Sequence, residues 1–263
     1  MHIFVRTFLS LYLGHLLTDF VFQTHSLVER KKHGNLSSYL WHGVVHYLTA
    51  IFVLGFLVHA SIFSRRTHFV IFGLTVVHLI VDLVKTTLTR KRLVVDGFWA
   101  YAFDQAAHLI TVMAAAWLIS PTVSFSDAIF LIEKGRNIPN RILVVAVTYA
   151  AVVFGGGYLI RLLTKGLMDR AEKETPAKEE QLQNAGLYIG WLERFLVLTA
   201  LLLHAPATVG LILTAKSIAR YPEFKSYSFA EYFLIGTLLS ISMALLAGVL
   251  LSKLLFGKIE IFG

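Results

Sequence analysis

Charge is scarce in this chain. Only 15% of its 263 residues are Asp, Glu, Lys or Arg, where a soluble domain carries roughly a quarter. So little charge excludes an ordinary water-soluble surface. Cysteine is absent altogether, which excludes disulfides, thiolate metal sites and cysteine nucleophiles. There is no internal repeat and no low-complexity tract. No basic soluble stretch is long enough to form a nucleic-acid-binding domain, although the formal net charge is +8. In a membrane protein that excess reads as positive loops facing an anionic leaflet. The N-terminal run is expected to be a first membrane helix rather than a cleaved secretory signal. The first apolar run contains His15 and Asp19, has Arg6 as its one early basic residue, and is followed by no small-residue cleavage site.

What is present is apolar: 56% of the residues are hydrophobic. Several runs reach the roughly 20 residues that a bilayer-crossing helix needs. They are continuous rather than alternating apolar and polar, which excludes a transmembrane barrel. The expected fold is all-α, a polytopic helical membrane protein of about seven transmembrane helices, near residues 3–22, 38–60, 68–88, 98–120, 141–163, 186–215 and 229–255. The sixth is long and is expected to tilt or to project from the membrane. The segment 164–185 mixes Asp169, Arg170, Glu172, Lys173 and Glu174 with further charges, and reads as a solvated helix or linker on the cytoplasmic side. It divides a five-helix region, 1–163, from a two-helix region, 186–263.

Counting lysine and arginine sets the expected orientation. The side reached after the first span collects Arg30, Lys31, Lys32, Lys85, Arg90, Lys91 and Arg92, together with the basic residues of the 164–185 segment. The opposite side has fewer. This puts the N-terminus outside and the richer side in the cytoplasm.

Each of the first four spans carries a polar pair at i and i+4: His15 and Asp19, His42 and His46, His78 and Asp82, Asp104 and His108. Residues four apart share one helix face, one turn apart. The pairs close the first and third spans and open the second and fourth. Because successive helices reverse direction, all four pairs fall at one depth, near the cytoplasmic boundary. An ionised carboxylate in hydrocarbon costs at least about 2.5–3.5 kcal/mol, so several at one level need compensation. A divalent cation supplies it, and imidazole with carboxylate suits zinc, manganese or iron. The expected metal ligands are His42, His46, His78, Asp82, Asp104 and His108. His15 and Asp19 complete the shell or act as base and orienter in catalysis. Gln23, Lys31, Lys85 and Arg92 rim the same side and are expected to draw in an anionic headgroup. The competing readings are a proton or ion pathway, a haem site, and an inter-helix hydrogen-bond network.

In the last span Gly236, Ser240, Ala244, Gly248 and Ser252 recur every four residues. Such a small-residue stripe lets a second helix approach closely, either the sixth span or another copy of the chain in a homo-oligomer. Glu193 and Arg194 open the sixth span. Glu193 is expected as an interfacial charge, and Lys216 with Arg220 as a basic interfacial turn.

The opening GHLLTDFVFQTHSLVERKK, followed by WHGVVHYL, HLIVDLVK and DQAAHL, resembles the bacterial membrane-protein family catalogued as DUF3307. GWLERFLVL, AKSIARYPEF and AEYFLIGTLLS look like the back half of its longer members. The resemblance implies a bacterial inner-membrane location and carries no activity with it. The placement of His and Asp is also similar, more loosely, to membrane-bound metal-dependent hydrolases. The leading expectation is a metal-dependent hydrolase acting on a lipid-linked or amphiphilic substrate. A transporter using intramembrane Asp and His, and a scaffold or partner-binding subunit, are the alternatives.

Overall fold

The computed structural model describes residues 3–58, 64–95, 97–121, 138–174 and 185–256. Among the described residues all regular structure is helical. This is how a chain in lipid satisfies its backbone: each amide and carbonyl pairs within its own segment. In chain order the helices are α1 (Ile3–Phe20), α2 (His25–Lys32), α3 (Leu36–Val58), α4 (Arg65–Arg90), α5 (Phe98–Ile119), α6 (Ile138–Tyr149), α7 (Gly156–Glu174), α8 (Ala185–Leu202), α9 (Ala207–Ala219) and α10 (Tyr227–Phe256). A π-helical turn, Ala150–Gly155, lies between α6 and α7.

Among the described residues, five stretches are long and apolar enough to cross a membrane: Leu36–Phe56, Arg65–Arg90, Phe98–Ile119, Asn140–Ala171 and Tyr227–Phe256. Their outer faces are apolar. Phe52, Phe56, Trp99 and Phe103 are largely exposed, and Phe69 is 78% exposed. In water such faces would drive association; in lipid they are the expected surface. The chain is therefore a polytopic helical membrane protein. The first expected span is α1, 18 residues long. The part of the charged linker at 175–184 lies outside the described residues.

The chain divides into two compact units, Met1–Ala150 and Ala151–Gly263. In the first, α1, α3, α4 and α5 form a closed ring of neighbours, α1 on α3, α3 on α4, α4 on α5 and α5 on α1. α6 packs on α1, and the short α2 touches α3 and α4. Two glycines set the spacing. A Cβ on Gly14 would lie 3.2 Å from the Ala50 backbone, and one on Gly43 would lie 2.8 Å from a Leu79 methyl. Leu11, Ala50, Leu54, Ile71, Leu74, Val112, Ala115 and Ala116 fill the ring as one apolar core. Every one of them lies on the same side of the polar pairs along its helix.

In the second unit α10 packs on α7 and α8, and α9 on α8. Here the sixth expected span needs correction: it is two helices, not one long one. α8 ends at Leu202, His204 takes a left-handed φ of 56°, and α9 begins after Pro206. Proline has no amide hydrogen to continue the ladder and disfavours helical geometry in the residue before it. Glu193 is corrected too. It is buried and accepts a 2.5 Å bond from Lys216 Nζ, tying α8 to α9. Arg220 pairs instead with Glu223 at 2.6 Å. Arg194 is buried beside Glu193. Its Nε and Nη2 both donate to the Val153 carbonyl, at 3.2 and 2.8 Å, and its Nη1 donates to Ser240 Oγ at 3.3 Å. The small-residue stripe is engaged within the chain. A Cβ on Gly248 would meet Leu201 of α8 at 2.4 Å, and one on Gly236 would meet Thr164 of α7 at 3.9 Å.

Candidate metal centre

The four i, i+4 pairs meet inside the ring of α1, α3, α4 and α5. Because neighbouring helices run in opposite directions, the pairs stack as two layers, about 6 Å apart for four residues of helical rise. The inner layer, next to the apolar core, is imidazole: His15, His46, His78 and His108, each about 1% exposed. Their rings touch. The centroids of His46 and His78 are 4.3 Å apart, those of His78 and His108 4.4 Å, and those of His15 and His108 4.8 Å. The outer layer is Asp19, His42, Asp82 and Asp104. Asp19 and Asp82 are its more accessible members, at 11% and 14% exposure.

Contacts within and between the layers are close. Asp19 Oδ1 lies 3.3 Å from Nε2 of both His42 and His78. His42 Nε2 is 2.9 Å from His78 Nε2 and 3.5 Å from Asp82 Oδ2. His108 Nε2 is 3.4 Å from Asp82 Oδ1 and 3.5 Å from Asp104 Oδ1, and its Nδ1 is 3.1 Å from His78 Nδ1. Yet several buried atoms make no hydrogen bond among the described residues: both nitrogens of His15, Asp19 Oδ1, Asp104 Oδ1 and His108 Nε2. Donors and acceptors this near, but not aligned to share protons, could serve as ligands to a common ion.

Among the described residues, three groups of side chains bring one ligand atom per residue within 4.8 Å of one another: His15, His78 and His108; Asp19, His42 and His78; Asp19, Asp82 and His108. Asp19, His78 and His108 each belong to two of them. His46 and Asp104 belong to none of the three. Instead, His46 Nδ1 is 3.1 Å from Thr75 Oγ1, which donates to the Ile71 carbonyl at 3.0 Å. Asp104 Oδ2 accepts from Lys85 Nζ at 2.8 Å and from Gln105 Nε2 at 3.2 Å. Chemically, the three groups offer imidazole nitrogen and carboxylate oxygen in the mixture that zinc, manganese and iron favour.

The rim residues separate into two kinds. Lys31 points inward: it is 4% exposed, and its Nζ lies 2.6 Å from Asp82 Oδ2. Helix α2 makes this reach. Thr24 caps it by accepting from the Leu27 amide, and Gly34, with φ 77°, turns the chain into α3. Lys85 reaches Asp104 in the same way from α4. Gln23 is half-buried in the turn before α2, and Arg92 is exposed after α4 with φ 56°. Sequence reasoning missed α2 as a helix, Thr75 and Gln105. Gln105 had a signal, standing next to Asp104, and Thr75 stands one turn before His78 on a helix already expected.

No curated protein and no solved structure matches the chain. A family match is found, and it ends before GWLERFLVL and the rest of the second unit. Residues 7–134, the stretch that carries all four pairs, match the family described as Protein of unknown function (DUF3307).

Proposed function

We propose that this protein is a metal-dependent hydrolase of the bacterial inner membrane, acting on a lipid-linked or amphiphilic substrate. One observation carries the reading: three overlapping His/Asp ligand groups are buried among four helices, with nitrogen and oxygen atoms that no hydrogen bond satisfies. A buried polar atom without a partner costs about 1–3 kcal/mol. A divalent ion turns several such costs into ligand bonds. In this reading Asp19, His42, His78, Asp82 and His108 hold the ion, and His15 supplies a further nitrogen as ligand or base. Asp104 and His46 are held from behind by Lys85 and Thr75, and they orient the ligands beside them. The ion brings the pKa of a bound water to about 7, making a nucleophile at neutral pH. The excess of lysine and arginine after the first span supports an N-terminus outside and a site opening to the cytoplasm.

The test is elemental analysis of protein purified without chelators, wild type beside His42→Ala and Asp82→Ala, with hydrolysis of ester and phosphoester lipids measured on the same samples. Stoichiometric transition metal in the wild type, lost from both variants together with turnover, is the expected result. A wild type without metal, after incubation with zinc, manganese and iron, refutes the reading.

A further inference from the structure

The charges of the site restrict its substrate. Among the described side chains of the cluster, Asp19, Asp82 and Asp104 face Lys31 and Lys85. With the imidazoles neutral, one negative charge is in excess. A single divalent ion reverses that sign while its water keeps its proton, and a second ion, which the sharing of Asp19 between two ligand groups accommodates, keeps the site positive even when that water has ionised. A positive surplus in a poorly hydrated site demands an anion.

The two lysines add position to charge. Lys31 Nζ sits 2.6 Å from Asp82 Oδ2, and Asp82 is itself a member of the Asp19, Asp82, His108 group. An ion held by Asp82 takes electron density from the carboxylate and repels the ammonium beside it. The ammonium stays close, because α2 and its stacking over the Tyr39 ring, 5.4 Å to the centroid, tether it. It then stands at the accessible, outer layer with three donors to offer. Lysine is a compact point charge suited to phosphate oxygens. A carboxylate ester, uncharged at the reacting carbon, would leave the surplus unanswered.

Resting on the metal reading above, we propose that the substrate is a phosphoester, whose phosphoryl oxygens are shared between the metal and Lys31, with Lys85 on the Asp104 side. The reaction balances without a redox partner. The oxygen of water bonds to phosphorus, the bond from phosphorus to the alcohol oxygen breaks, and a proton from that water ends on the alcohol. The phosphate group comes from a lipid headgroup or from a soluble phosphoester.

The experiment uses the full chain in nanodiscs of uncharged lipid, loaded with Mn2+, with metal content measured first. Inorganic phosphate is then titrated while its 31P linewidth is followed. Saturable paramagnetic broadening is expected in the wild type and in Lys31→Arg. At least a tenfold weaker phosphate affinity is expected in Lys31→Gln at unchanged manganese content. Dihexanoyl phosphatidate displacing phosphate more tightly than glycerol phosphate identifies the lipid source, and the reverse order the soluble one; failure of both to displace it overturns the proposal. A manganese-loaded wild type that produces no broadening overturns the phosphoester assignment and leaves the metal reading standing. So does a phosphate affinity unchanged in Lys31→Gln. Absence of bound manganese, zinc and iron refutes both together.

Discussion

Replacing Lys31 by Met removes one partner of a buried ion pair and leaves Asp82 facing hydrocarbon and imidazole. The pair is close, 2.6 Å, with Lys31 4% and Asp82 14% exposed. Removing one member of such a pair costs about 3–5 kcal/mol, at least about a fifth of a typical folding free energy of about 5–15 kcal/mol. Neutralising the remaining acid in the double variant Lys31→Met, Asp82→Asn returns much of that loss. The cycle should therefore show a coupling energy of at least about 2 kcal/mol. It is measured by equilibrium unfolding in mixed detergent micelles of chelator-treated protein, with each single variant and the double. Repeating it with manganese bound should shrink the coupling, because the ion then competes with the ammonium for Asp82. Single-variant losses below about 1 kcal/mol that simply add in the double would refute the inward placement of Lys31 and the role given to α2.

Other outcomes follow from the same geometry. Gly34→Ala puts a side chain on a φ of 77° and a Cβ 2.8 Å from Arg90 Nη1; it should cost about 1 kcal/mol or more and weaken metal binding by disturbing α2, as titration calorimetry would show. Arg194→Met removes the two bonds to the Val153 carbonyl and the one to Ser240 and should cost about 1–3 kcal/mol in thermal melts, while metal content stays at the wild-type level. Hydrogen bonds from Ser228 and Ser226 hold the exposed Glu174 carboxyl below the usual glutamate range. Its contribution is present above the unfolded-state value, about 4.3, and disappears as pH falls through the lower folded value; hydrogen exchange at residues 226–230 should accelerate over that window.

The polar site was legible because periodicity and topology answer the same question. His15 and Asp19 share a face by helical geometry, and reversal of the next helix dictates that His42 precede His46 if the pairs are to be level. What periodicity does not give is which atom of each ring faces which carboxylate. Hence Asp19, expected beside the ion, stands in two of the three ligand groups, whereas His46 and Asp104, expected as ligands, are engaged by Thr75 and Lys85. Lys31 read as a rim residue facing an anionic headgroup, because positive residues after a span usually line the interface; the turn at Gly34 and the cap at Thr24 direct it inward. The break in the sixth span did have a signal, Pro206, but an apolar run on both sides of it masked the stop. Glu193 was misplaced for a different reason. Its partner Lys216 lies 23 residues away, across that unrecognised break, so no local pattern joined them.

The layering of the site, acid outside and imidazole inside, also gives it a direction of supply. A hydrated cation approaching from the α2 end meets Asp19 and Asp82 first, exchanges its waters for carboxylate oxygen, and then settles onto nitrogen. From the opposite end it would have to cross the plug of Leu11, Leu54, Ile71 and Val112. A metal held as proposed would thus be supplied from the α2 end, and the ion bound in a living cell would report the free-ion composition of the compartment on that side rather than that of the other side of the membrane.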